Sequence, residues 1–181
     1  MLTPEAFAQE LEAQRGVFLT LAAAILGRRS EAEDVLQDAS AVALGKLASF
    51  EVGTNFGAWM GQIVRYVALN HVRRRTGRDS MPADSIDERC FASAGVDEPA
   101  DARLLGELSR DQDHFDDEVL AALLSLSPTA RACLLLRAVQ DLDYSELSRL
   151  LGSPEGTAMS HVHRARAALR AALLARQSRG E

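Results

Sequence analysis

The chain has 181 residues and a formal net charge of −6, a length that suits one domain or two small ones. Apolar residues are plentiful, Pro and aromatics are few, and long Ala/Leu/Arg/Glu-rich segments point to an all-α protein. No apolar run approaches the ~18 residues a bilayer crossing needs, and the N-terminus lacks a basic start followed by a short apolar core. No membrane insertion and a cytoplasmic location are therefore expected. Cys90 and Cys133 are far apart and outside any metal-ligand spacing, so a reduced protein without metal or cofactor is expected. There is no nucleophile–base set and no phosphate loop, which argues against an enzyme.

The charge is unevenly spread. Residues 1–78 carry a net +1, residues 79–118 a net −10, and residues 119–181 a net +3. A first helix is expected from Pro4 to Leu26, stopping at Gly27. Ser30 and Glu33 have capping-box spacing for a second helix that reaches about Ala48. A loop, Ser49 to Thr54, leads to a third helix beginning near Asn55. There Phe56, Trp59, Met60, Ile63, Val64 and Val67 recur at helical spacing and form the core side. Gln62, Tyr66, Asn70, Arg73 and Arg74 fall on the other side. Arg73, Arg74 and Arg75, with Arg78 beyond Gly77, suit the negative end of the helix dipole. Four arginines in six residues, beside a polar and aromatic face, fit contact with a phosphate backbone better.

Residues 79–116 read as an acidic linker, with a short helix around Ala100 to Arg110. The chain is thus two small helical domains joined by an acidic tether, residues 1–78 and 117–181 being the folded parts.

The segment Leu142 to Arg166, LDYSELSRLLGSPEGTAMSHVHRAR, has the layout of a helix-turn-helix. Asp143 and Glu146 make a capping box. Leu147, Leu150 and Leu151 give one apolar face. Gly152 stands where a helix end needs left-handed angles, and Ser153 and Pro154 open the next helix. On that helix Ala158, Val162, Ala165 and Leu169 form the inward stripe. Thr157, Ser160, His161 and Arg164 form the opposite face, with hydrogen-bonding types able to reach base edges or phosphates. Periodicity alone fits an ordinary helical hairpin with a solvated face equally well.

The two modules together carry a resemblance. AEDVLQDAS at 32–40, SFEVGTNFGAW at 49–59 and the basic helix to Arg75 resemble region 2 of a bacterial sigma factor. LSLSPTARACLLLRAVQDLDYSELSRLLGSPEGTAMSHVHRAR at 124–166 resembles region 4. The two-part arrangement, without the intervening regions of larger members, is similar to extracytoplasmic-function sigma factors. The resemblance implies a transcription initiation factor, not an enzyme, that binds core RNA polymerase and promoter DNA and is held in check by an anti-sigma factor.

Laid onto this chain, it implies that Asp34, Gln37 and Asp38 dock on the polymerase clamp helices. It implies that the stretch from Ser49 to Arg75 recognises the minus-ten element and holds a flipped base, with Phe50, Asn55, Tyr66, Asn70 and Arg73 as candidates. Unpairing costs a few kcal/mol, offset by stacking and edge contacts. Phe56 and Trp59 are better explained as core. Arg137 is implied to contact phosphate ahead of the helix-turn-helix. Thr157, Ser160, His161 and Arg164 are implied to face the groove of the minus-thirty-five element, flanked by His163 and Arg166. The chain departs from the family at Met159 and His161, where a basic residue and an arginine are common, and at Tyr66, where a small polar residue is common. Two other readings are a sigma-like decoy that captures an anti-sigma factor and a plain helix-turn-helix regulator.

Overall fold

The computed structural model describes residues 2–51, 53–76 and 117–177. The acidic linker, with the helix expected around Ala100 to Arg110, lies outside the described residues, as does Arg78. The described residues are helical, with no strand among them: the chain is all-α. In order they form α1 (Pro4–Ala13), α2 (Arg15–Leu26), α3 (Ala32–Gly45), a 3-10 turn (Leu47–Ser49), α4 (Phe56–Arg75), α5 (Asp117–Leu124), α6 (Pro128–Val139), α7 (Tyr144–Leu151) and α8 (Glu155–Gln177).

Local chemistry explains most boundaries. Thr3 caps α1, with Pro4 at its first position. Gly27 closes α2 at φ 74°, a left-handed conformation that suits glycine. Asn55 Oδ1 accepts from Ala58 N at 2.8 Å and starts α4. The Asp143–Glu146 capping box is complete: each side chain meets the other residue's backbone N–H at 2.7 Å.

Four local expectations are corrected. The first helix is two, broken at Gln14 (φ −111°, ψ 10°), so that Phe7 of α1 can turn onto Phe56 at 5.7 Å between ring centroids. The Ser30–Glu33 capping box does not form. Glu31 occupies the cap position without a side-chain bond, and Glu33 instead pairs with Arg15. The second helix stops at Gly45 rather than Ala48. Ser153 does not cap α8 either: its hydroxyl is buried without a partner, and its backbone N–H closes α7 on Ser148 O at 3.1 Å.

The two modules do not stand apart. α2 packs on α6, and α4 lies between α2 and α3 on one side and α7 on another. One continuous core results, in which Phe18, Leu21, Met60 and Ile63 share contacts with Leu136, Leu147, Leu150, Ala158 and Val162. A smaller cluster of Leu123, Leu126, Ala130, Leu134 and Ala165 fixes α5 and α6 to α8.

Candidate nucleic-acid interface

The C-terminal site is built by a tight turn. Gly152 adopts φ 62° at the end of α7, and α8 starts three residues later. α8 packs on α5, α6 and α7 through Ala158, Val162 and Ala165. Ser160, His163, Arg164 and Arg166 are exposed, and Thr157 is half-buried. Those side chains remain available for a groove. His161 does not follow the expectation. It is 5 % exposed, because three helices cover α8 over more than its small apolar stripe, and its Nδ1 lies 3.4 Å from Arg164 Nη2.

Arg137 is also differently employed from the phosphate contact expected of it. Its guanidinium donates to Asp141 Oδ1 at 3.0 Å and to Leu142 O at 3.1 Å, and lies 5.7 Å from the Tyr144 ring centroid. It thereby braces the turn into α7, where Asp141 adopts φ 52°. Only part of the guanidinium faces solvent.

At the N-terminal site the difference is larger. Asn55 is exposed, with its side-chain oxygen engaged in capping. Phe50 is buried, 5.1 Å from Trp59 and 6.2 Å from Phe56, edge to face with both. The face of α4 expected to be solvated is covered as well: Gln62, Tyr66 and Asn70 are 3 %, 6 % and 7 % exposed. Helical period separates polar from apolar side chains but does not reveal that α4 packs on α2, α3 and α7, the last of these against Gln62. Arg74 is exposed, and Arg73 and Arg75 are half-buried. Arg75 Nη1 pairs with Glu31 Oε2 at 3.0 Å, and Arg28 takes the other oxygen at 2.9 Å. On α3, Asp34, Gln37 and Asp38 point to solvent while Val35, Leu36 and Ala39 are buried, as an acidic docking face requires.

Sequence reasoning did not single out Arg131. It is 2 % exposed, and its guanidinium donates to Ala24 O, to Ile25 O at 3.1 Å, and at 3.4 Å to Leu123 O and Leu126 O. Burial pushes it down to about 10, so it stays charged at neutral pH. An apolar groove of about 490 Å³ opens beside it, between α2, α5 and α6, with Leu19, Ala23, Leu120, Leu124 and Leu135 in its walls.

Two family models match this arrangement: Sigma-70 region 2 over residues 12–78 and Sigma-70, region 4 over residues 116–169. The chain belongs to the sigma-70 family. Among its relatives is the ECF RNA polymerase sigma factor SigW of Bacillus subtilis, 24% identical over 169 residues, covering 92% of this chain and 88% of that one. Another is the ECF RNA polymerase sigma factor SigE of Mycolicibacterium smegmatis, 30% identical over 150 residues, covering 83% of this chain and 54% of its own length. Two solved structures share the fold. The sigma factor RpoE from Bartonella quintana, in complex with the anti-sigma factor NepR, matches with a TM-score of 0.62 and 26% identity over 92% of this chain and 96% of that one. CnrH, in complex with the cytosolic domain of CnrY, matches with a TM-score of 0.60 and 26% identity over 96% of this chain and 90% of that one. As an ECF-type sigma factor, the protein directs RNA polymerase to promoters. None of the helices in the described residues is long and apolar enough to cross a membrane.

Proposed function

We propose that the sigma factor divides its task between its two modules. Residues 1–78 dock on core polymerase through Asp34, Gln37 and Asp38 and handle the minus-ten element. Residues 117–181 read the minus-thirty-five element, and residues 79–116 set the reach between them. The single observation that carries the reading is the exposed row Ser160, His163, Arg164 and Arg166 on α8, directly after the Gly152 turn. That row supplies hydroxyl, imidazole and guanidinium donors where a recognition helix meets base edges and phosphates. Thr157 sits at its edge. His161, buried beside Arg164, acts by orienting that arginine rather than by touching DNA.

At the other element, Tyr66 and Asn70, covered in this structure, supply stacking and edge contacts to a base drawn from the non-template strand once their face of α4 is exposed, with Arg73 and Arg74 on the backbone. Phe50 shapes the pocket wall from the core, and Asn55 fixes the start of α4. Arg75 and Arg137 reach phosphate only after exchanging Glu31 and Asp141 for it. The protein performs no chemistry on its substrates and works in the cytoplasm. Its inhibitor is an anti-sigma factor, as in the complex of RpoE with NepR, and the groove walled by Leu19, Leu120 and Leu135 suits apolar side chains of such a partner.

Run-off transcription with core polymerase and a promoter library tests the assignment. Transcripts from a defined promoter class, dependent on this protein, are expected. Polymerase that gains no promoter preference on its addition would overturn it.

A further inference from the structure

One exposed side chain on α8 is used neither by the fold nor by a polar contact. Met159 is 48 % exposed and belongs to neither hydrophobic cluster, although α8 packs on α5, α6 and α7. A single exposed methionine needs no explanation by itself. This one stands inside the row assigned to DNA. Ser160 is beside it, His163 lies one turn on and Arg166 two turns on, and all three are exposed.

Side chains on a helix lean toward its N-terminus. Met159 therefore leans over Gly156, where an added Cβ would meet nothing within 4 Å. The first turn of α8 is bare on this side, and a base edge can come close to it. The N-terminal residues of a recognition helix are the ones that meet base edges. Glu155, exposed and one turn before Met159, repels phosphate oxygens, so this part of the face suits bases rather than the DNA backbone. Ser160 donates its hydroxyl proton to Gly156 O at 2.8 Å, which leaves its oxygen to accept. Met159 adds only apolar, polarisable surface. Among the four bases, the major groove presents one apolar group, the C5-methyl of thymine.

We propose that Met159 is a specificity-determining residue that packs on the C5-methyl group of a thymine in the upstream element. The proposal rests on the assignment of the exposed α8 row to DNA. The contact removes apolar surface of both groups from water, and the unbranched thioether can adjust to the methyl group without moving α8.

Deoxyuridine isolates the contact, because it lacks only the methyl group and pairs with adenine as thymine does. Promoters obtained from the run-off library are remade with each upstream thymine replaced in turn, on either strand, and bound by the full-length protein in complex with core polymerase. One position is expected at which deoxyuridine weakens binding about fourfold, the factor that burial of one methyl-sized group gives. Met159→Ala should weaken binding to the thymine promoter and abolish the difference between thymine and deoxyuridine at that position. Met159→Leu should keep part of the difference. Each comparison is made within one variant, so a change in folded fraction cancels. If no upstream deoxyuridine alters binding, or if Met159→Ala keeps the parent's methyl dependence, the proposal is wrong. A loss in Met159→Ala that is equal on all DNA sequences would place the side chain at the backbone and overturn it too. A parent complex that selects no upstream sequence sinks the assignment of α8 as well. A selected upstream element that responds to Arg164→Ala but to no methyl group sinks Met159 alone.

Discussion

Glu31 and Arg75 are 44 residues apart and meet at 3.0 Å, tying the start of α3 to the end of α4. Arg28 shares the same carboxylate, so one acidic residue holds two arginines at the edge of the proposed DNA surface. Both pairs are partly exposed, which limits their contribution to stability to about 0–1 kcal/mol. Glu31→Gln should therefore leave unfolding nearly unchanged while removing the carboxylate that competes with phosphate for Arg75. One extra phosphate contact steepens the log–log salt dependence of DNA binding by about 0.7–0.9. A titration of affinity against salt checks this, and an unaltered slope would show that Arg75 never reaches the backbone.

Asp34 and Asp38 stand on the solvent side of α3, one turn apart, with Gln37 beside them. Reversing both to Arg should weaken the complex with core polymerase. It should not unfold α3, whose core contacts come from Val35, Leu36 and Ala39. A pull-down with core enzyme alongside a thermal melt separates the two effects. Unchanged capture would place the docking surface elsewhere.

On α8, Arg164 and His161 should behave oppositely. Arg164 is exposed, so Arg164→Ala should cost ~1–3 kcal/mol in binding to the upstream element with little change in melting temperature. His161 is buried, so His161→Ala should instead lower stability by about 0.5–3 kcal/mol. Paired binding and melting curves for the two variants provide the check. A stable His161→Ala protein with altered base preference would mean that the imidazole reads DNA directly.

Arg131 should dominate stability among the polar side chains. Its loss leaves Ala24 O and Ile25 O buried without their charged donor, and bonds to charged groups contribute about 1.5–3 kcal/mol each. Arg131→Met should lower the urea midpoint more than Arg166→Met, an exposed control. The pH dependence follows from the lowered pKa of about 10. Below that value the guanidinium is charged in both folded and unfolded chains and adds no slope. Above it the unfolded chain holds its proton longer, so this group makes stability rise with pH there. Urea midpoints followed through neutral pH should show no step that disappears in the Met variant.

Tyr66 and Asn70 are the residues through which opening of the duplex is expected to fail. Tyr66→Ala and Asn70→Ala should reduce permanganate-reactive thymines at a promoter while upstream contacts by α8 persist. Normal reactivity in both variants would remove these residues from the pocket.

What the sequence determined by itself is local. The Asp143–Glu146 box, the left-handed Gly27 and Gly152, the Asn55 cap and the inward Phe56, Met60, Ile63 and Val64 follow from groups within about four residues of one another. The motifs of the two modules also sufficed to indicate the family. Tertiary structure decided which polar faces see water. Gln62 lies 88 residues from its acceptor on Leu150, and Arg131 lies 106 residues from Ile25, so no periodicity contains either contact. Tyr66, Asn70 and His161 were legible as polar positions on helices. Their burial was not, because it is set by neighbouring helices that a one-dimensional pattern does not reveal. The break at Gln14 has the same origin: helical propensity runs through it, and the Phe7–Phe56 contact fits a turn there.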